Sequence, residues 1–123
     1  MEIKAKLYLV DSQGDKFMGI GVLWLLQQVA LEGSLRQAAA KLGISYSKAF
    51  NMVRHLERNL GMAVIERKKG GSAHHGASLT EFGSRFLALY DDFQAKAKQT
   101  INGPFETFMH AYRLLEQEFS GKE

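Results

Sequence analysis

The chain has 123 residues, no cysteine and one proline, with 46% hydrophobic residues and a net charge of +3. That is one domain's worth of core with an appended helix; it excludes disulfides and thiolate metal centres, and no apolar run reaches a membrane span. The charge is uneven: residues 34–76 carry +6, while residues 1–33 sum to −1 and residues 77–123 to −2. A basic segment flanked by mildly acidic ones is the footprint of a nucleic-acid-reading unit.

Ile3 to Val10 alternate in part and read as a strand; Asp11-Ser12-Gln13-Gly14-Asp15 is rich in turn formers, and Lys16-Phe17-Met18 reads as a short return strand. From the sequence, no chemistry of its own is expected of this small hairpin. Gly19 to Glu32 reads as a helix apolar nearly all round, a core helix in which Trp24 is expected to pack inside.

Ser34 can cap a helix carrying Leu35, Ala38, Ala39 and Leu42 at helical spacing, and Gly43 ends it. Ile44 packs in the turn. Ser45 caps a second helix with Ala49, Val53, Leu56 and Leu60 as its apolar stripe. Two helices joined so tightly are a helix-turn-helix, whose second helix enters the major groove of DNA. Ser45, Tyr46, Ser47, Lys48, Phe50, Asn51 and Arg54 lie at the start or off the stripe of that helix and suit base edges, thymine methyls or phosphates. Arg36, Lys41, Arg58 and Arg67 are phosphate candidates; Arg58 and Arg67 could instead pair with Glu57 and Glu66.

Gly61 to Arg67 reads as a turn and a short strand, residues 68–76 as a hairpin tip and Ala77 to Leu79 as the return strand. A hairpin directly after a recognition helix is a wing. Lys68, Lys69, Gly70, Gly71, His74 and His75 at its tip suit close approach to a DNA backbone. Metal binding by the histidine pair is not expected, since no cysteine or acidic ligand stands at suitable spacing.

Thr80 reads as the cap of a helix from Glu81 to about Ile101. Phe82, Phe86, Leu89, Tyr90, Phe93, Ala97 and Ile101 line one broad stripe, either a dimer interface or a face packed on residues 105–119. Asn102-Gly103-Pro104 breaks that helix. An amphipathic helix follows to about Ser120, carrying Phe105, Phe108, Met109, Tyr112, Leu115 and Phe119. The fold class is mainly α with small β hairpins. It divides into a winged helix-turn-helix at 1–80 and a helical dimerisation region at 81–123, with the last helix as an extra terminal element.

The pieces "GSLRQAAAKLGIS", "LERNLGMAVIERKKGG" and "LTEFG" resemble the winged helix-turn-helix of LysR-type regulators. "GISYSKAFNMV" and "GASLTEFGSRFLALYD" resemble in particular the N-terminal DNA-binding domain of the molybdate-responsive ModE family. The resemblance covers roughly residues 17–93. It implies a homodimer on double-stranded DNA, places the N-terminal segment near the dimer interface, and tips the long-helix stripe toward a dimer contact. In that family molybdate binds a separate pair of β-rich domains after the DNA-binding one. No strand-rich segment follows the wing here, so molybdate binding by this chain is not expected, nor is any cofactor. Lys69-Gly70-Gly71-Ser72 lacks the spacing of a phosphate loop and no catalytic constellation stands out, so no enzymatic activity is expected. No secretory leader is read, which makes the cytoplasm the expected compartment. The reading is therefore a sequence-specific transcriptional regulator on a near-palindromic operator. A protein-interaction module or a non-specific architectural DNA binder could be built on the same fold.

Overall fold

A computed structural model describes residues 1–67 and 76–121 of the chain. The elements run β1 (Leu9–Val10), β2 (Lys16–Met18), α1 (Ile20–Glu32), α2 (Leu35–Leu42), α3 (Tyr46–Leu60), β3 (Ile65–Arg67), β4 (Ala77–Leu79), α4 (Glu81–Thr100) and α5 (Asn102–Ser120). They group into a winged unit, residues 6–91, and a second unit made of residues 1–5 and 92–123. The division falls inside α4 rather than at Thr80, because the first turns of that helix pack on the winged core through Phe82, Phe86, Leu87 and Tyr90.

The core of the winged unit collects one face from each of its helices. Leu23, Leu25, Leu26 and Val29 of α1 meet Leu35, Ala38 and Ala39 of α2, with Ala49, Val53 and Leu56 of α3. The alanines leave room for close helix approach. Full burial of side chains such as Leu26 and Leu56 supplies about 1.5–3 kcal/mol each.

The caps are as the sequence indicates. Ser34 Oγ accepts from Gln37 N–H at 3.1 Å, and Ser45 Oγ from Lys48 N–H at 3.0 Å. Gly43 takes φ +71°, where an L side chain is strained, and turns the chain directly into α3.

Trp24 is a correction. It is 51% exposed, on the same outward stripe of α1 as Gln27 and Leu31, because the buried arc of that helix runs through Leu23, Leu25, Leu26 and Val29. The strand expected over residues 3–10 is also shorter. Only Leu9 and Val10 pair, against Met18 and Lys16, with an irregular step between them. The return strand sits between the Asp11–Asp15 turn and the Gly19 cap of α1, and is too short to pair with more. Asp11 Oδ1 accepts from Gln13 N–H at 2.8 Å and Asp15 N–H at 3.0 Å. These bonds, Asp15's first, hold its carboxyl below the ordinary carboxylate range. The turn is therefore supported at neutral pH and loosens as acid protonates Asp11.

Tyr90 is a second correction. Only 4% exposed, it belongs to the core of its own winged unit, where its hydroxyl donates to Leu7 C=O at 3.0 Å. Burial, then the charge of Asp91, raises its phenol above the ordinary value. Its contribution is present at neutral pH and is lost only as alkali ionises the ring. Phe82 and Phe86 are half-buried against the same core, their rings 6.3 Å apart. On the same helix Leu89 (71%) and Phe93 (51%) stay exposed, while Ala97 and Ile101 are half-buried.

In the second unit α5 begins at Asn102, so Pro104 lies in its first turn. Phe105, Phe108 and Tyr112 form a ladder of stacked rings 6.3 and 6.4 Å apart, and no residue of α5 is buried. Among the described residues no helix is long and apolar enough to cross a membrane.

Candidate nucleic-acid interface

The candidate interface is built around α3. Its apolar stripe faces the core, which turns Ser47, Lys48, Asn51 and Arg54 outward, all exposed. Tyr46 and Phe50 are half-buried on the flank toward the wing, ring centroids 6.1 Å apart. Ser45 is exposed and spends its hydroxyl on the helix cap.

Three guanidinium groups gather on these two rings. Arg36, from the first turn of α2, lies 4.4 Å over the ring of Tyr46. Arg54 lies 5.7 Å from the centroid of Phe50. Arg67, at the end of β3, donates through Nη2 to Tyr46 Oη at 3.5 Å. The aromatic faces orient the cations without neutralising them. Together with Leu35, Val53, Glu57, Ile65 and Ala77 they line a cleft of about 290 Å³ between α3 and the wing. Such a cleft, apolar at its floor and cationic at its rim, suits a phosphate or a sugar-phosphate edge. Lys41 lies apart, 4.0 Å from Glu32. Arg58 donates through Nε to Arg54 C=O at 3.5 Å.

β3 and β4 form the base of the wing, with Ile65 opposite Leu79, Glu66 opposite Ser78 and Arg67 opposite Ala77. The tip residues expected to touch DNA, Lys68, Lys69, Gly70, Gly71, His74 and His75, lie outside the described residues. Among the described residues no cluster of metal-ligating side chains occurs.

The wing base is fastened at several points. Glu57 Oε2 accepts from Val64 N–H at 2.8 Å and Ile65 N–H at 3.4 Å, tying the end of α3 to the start of β3. Ala77 N–H donates to Gly33 C=O at 2.8 Å. Thr80 Oγ1 donates to Ala63 C=O at 2.8 Å and accepts from Gly83 N–H at 2.9 Å. Reading Glu57 as a partner for Arg58 misses this positioning role, and nothing local in the sequence marks a carboxylate that reaches amides across a turn. Glu57→Ala should cost roughly 1–3 kcal/mol in thermal or urea unfolding. Glu57→Gln, which keeps an acceptor, should lose less; equal loss in both would remove the hydrogen bonds as the cause.

Residues 21–84 match the family described as "Bacterial regulatory helix-turn-helix protein, lysR family". The chain belongs to that family. The DNA-binding transcriptional dual regulator ModE of Escherichia coli K12 is 39% identical over 67 residues, covering 54% of this chain and 26% of ModE. The molybdenum-pterin-binding protein MopB of Rhodobacter capsulatus is 33% identical over 85 residues, 69% of this chain and 32% of MopB. The chain thus spans about a third or less of the length of these relatives. Among solved structures, the DNA-binding domain of CbnR in complex with DNA superposes with a TM-score of 0.58 at 26% identity, covering 73% of this chain and 98% of that one. The winged helix-turn-helix of this chain is therefore a LysR-type, ModE-like DNA-binding domain, and the arginine-rimmed cleft and exposed α3 face are parts of that domain.

Proposed function

We propose that this LysR-type chain is a sequence-specific transcriptional regulator that binds double-stranded DNA as a homodimer on a near-palindromic operator. The observation that carries the reading is the outward face of α3, bearing Ser47, Lys48, Asn51 and Arg54, beside the rim of Arg36 and Arg67. Asn51 and Arg54 have the donor geometry to read adenine or guanine edges, and Arg36, Arg67 and Lys48 suit flanking phosphates. The second copy is assigned to the exposed apolar residues of the second unit, Phe93 of α4 and the stripe of Phe108, Leu115 and Phe119 on α5. Burying them stabilises a dimer by about 25 cal/mol per Å² of apolar area. A two-fold dimer places two recognition helices roughly 34 Å apart, one turn of duplex.

Selection of genomic fragments at near-physiological salt tests this. Enrichment of a near-palindrome with half-sites one turn apart is the expected result. With the selected site in hand, Asn51→Ala should relax preference at one base pair by about 1–3 kcal/mol. Retention of DNA without any enriched sequence would replace the reading with an architectural role.

A further inference from the structure

We propose that the N-terminal hairpin is a second DNA-backbone contact, in which Lys16 of β2 and Lys48 of α3 seat a phosphate on the side of the recognition helix opposite the wing. The inference rests on the DNA-binding reading above. It starts from a cleft of about 330 Å³ between the hairpin and α3, lined by Tyr8, Lys16, Met18, Lys48, Met52 and His55 among others. Lys48, Met52 and His55 recur at helical spacing along one side of α3, away from Tyr46, Phe50 and Glu57. Lys16 Nζ sits 4.4 Å over the ring of Tyr8, which holds the ammonium at the rim. The floor is apolar, formed by Met18, Val22 and Met52. The nearby carboxylate of Asp11 is held in the hairpin turn by the backbone N–H groups of Gln13 and Asp15.

A helix with its side chains is about 10–12 Å across, and the major groove is about 12 Å wide. A seated recognition helix therefore meets both phosphate walls. On the wing side stand Arg36 and Arg67; on the hairpin side stand Lys16 and Lys48. The hairpin precedes residues 21–84, the part that matches the LysR family, while Lys48 and His55 lie within it.

The test compares the full chain with Lys16→Gln, Lys16→Glu, Lys16→Arg and, as a wing-side reference, Arg36→Ala. Affinity for one duplex is followed from roughly 50 to 200 mM salt. Loss of one phosphate contact in Lys16→Gln should reduce the log–log salt slope by about 0.9, with affinity falling equally on specific and random duplex. Lys16→Arg should restore the slope, and Lys16→Glu should weaken binding further. Lys16 is exposed, so all three variants should melt with the parent. A parental slope in Lys16→Gln and Lys16→Glu, with a reduced slope in Arg36→Ala, would overturn the hairpin contact and leave the DNA-binding reading standing. If the parent chain retains no duplex at any salt, both fall together.

Discussion

Gly83→Ala should melt the winged unit far below the parent. Gly83 lies in the first turn of α4, and an added Cβ there would collide with the carbonyl oxygen of Val64 and stand 2.9 Å from Val64 Cα. Both are backbone atoms, so no side chain can swing aside. Val64 is fully buried, its N–H is held by Glu57, and its carbonyl accepts from Thr80 N–H at 2.9 Å. Relief requires α4 to withdraw from the wing base, which breaks the Thr80 bonds and uncovers Phe82 and Phe86. Overpacking of this kind costs about 1–3 kcal/mol, and a rigid backbone contact belongs at the upper end. A loss of about 3 kcal/mol lowers Tm by roughly 12–24 °C in a domain of this size. Gly103→Ala is the matched control. Its Cβ would meet nothing within 4 Å, and alanine suits a helix better than glycine by roughly 0.5–1 kcal/mol. A scan in which both variants melt with the parent would remove close packing of α4 on the wing base as a source of stability.

The double variant Arg36→Ala/Arg67→Ala should flatten the salt dependence of DNA binding by about two slope units, one for each phosphate contact. Both guanidinium groups address Tyr46, one over its ring at 4.4 Å and one at its hydroxyl at 3.5 Å. Tyr46→Phe therefore separates them. It keeps the ring under Arg36 and removes the hydroxyl from Arg67, so its slope should fall between those of the parent and the double variant. The loss should be equal on selected and random duplex, because phosphate contacts carry no base information. Titration at several salt concentrations reads the slopes directly. A double variant with unchanged slope would move the phosphate contacts away from this cleft.

Much of this architecture is legible in the residues. Ser34 and Ser45 as caps, Gly43 between the helices and the stripes of α2 and α3 are local signals, and the structure places them as expected. What fails is which face of an element is covered. Helix α1 is apolar nearly all round, so its sequence does not mark Trp24 as outward; that depends on where α2 and α3 land. Tyr90 sits on the same periodic stripe as Leu89 and Phe93, yet its partner Leu7 lies at the other end of the winged unit's sequence. Sequence separation likewise hides that Lys16 and Lys48 line one cleft, and the role of Glu57 depends on a turn that brings the amides of Val64 and Ile65 back to the end of α3. Helical periodicity reports that a surface is apolar, not what will cover it.

The fastening of the wing base bears on how a duplex would be read. With β3 held to the end of α3 through Glu57, and β4 held to Gly33 through Ala77, the strands cannot pivot independently of the recognition helix. On the proposed reading, the α3 face and the wing base would act as the jaws of a fixed gauge. Any mismatch between gauge and groove must then be absorbed by bending or untwisting the nucleic acid, at an energy set by the base steps lying between the contacts. Flexible pyrimidine–purine steps there should be favoured even where no side chain touches a base, so part of the operator's sequence would be recorded in its stiffness.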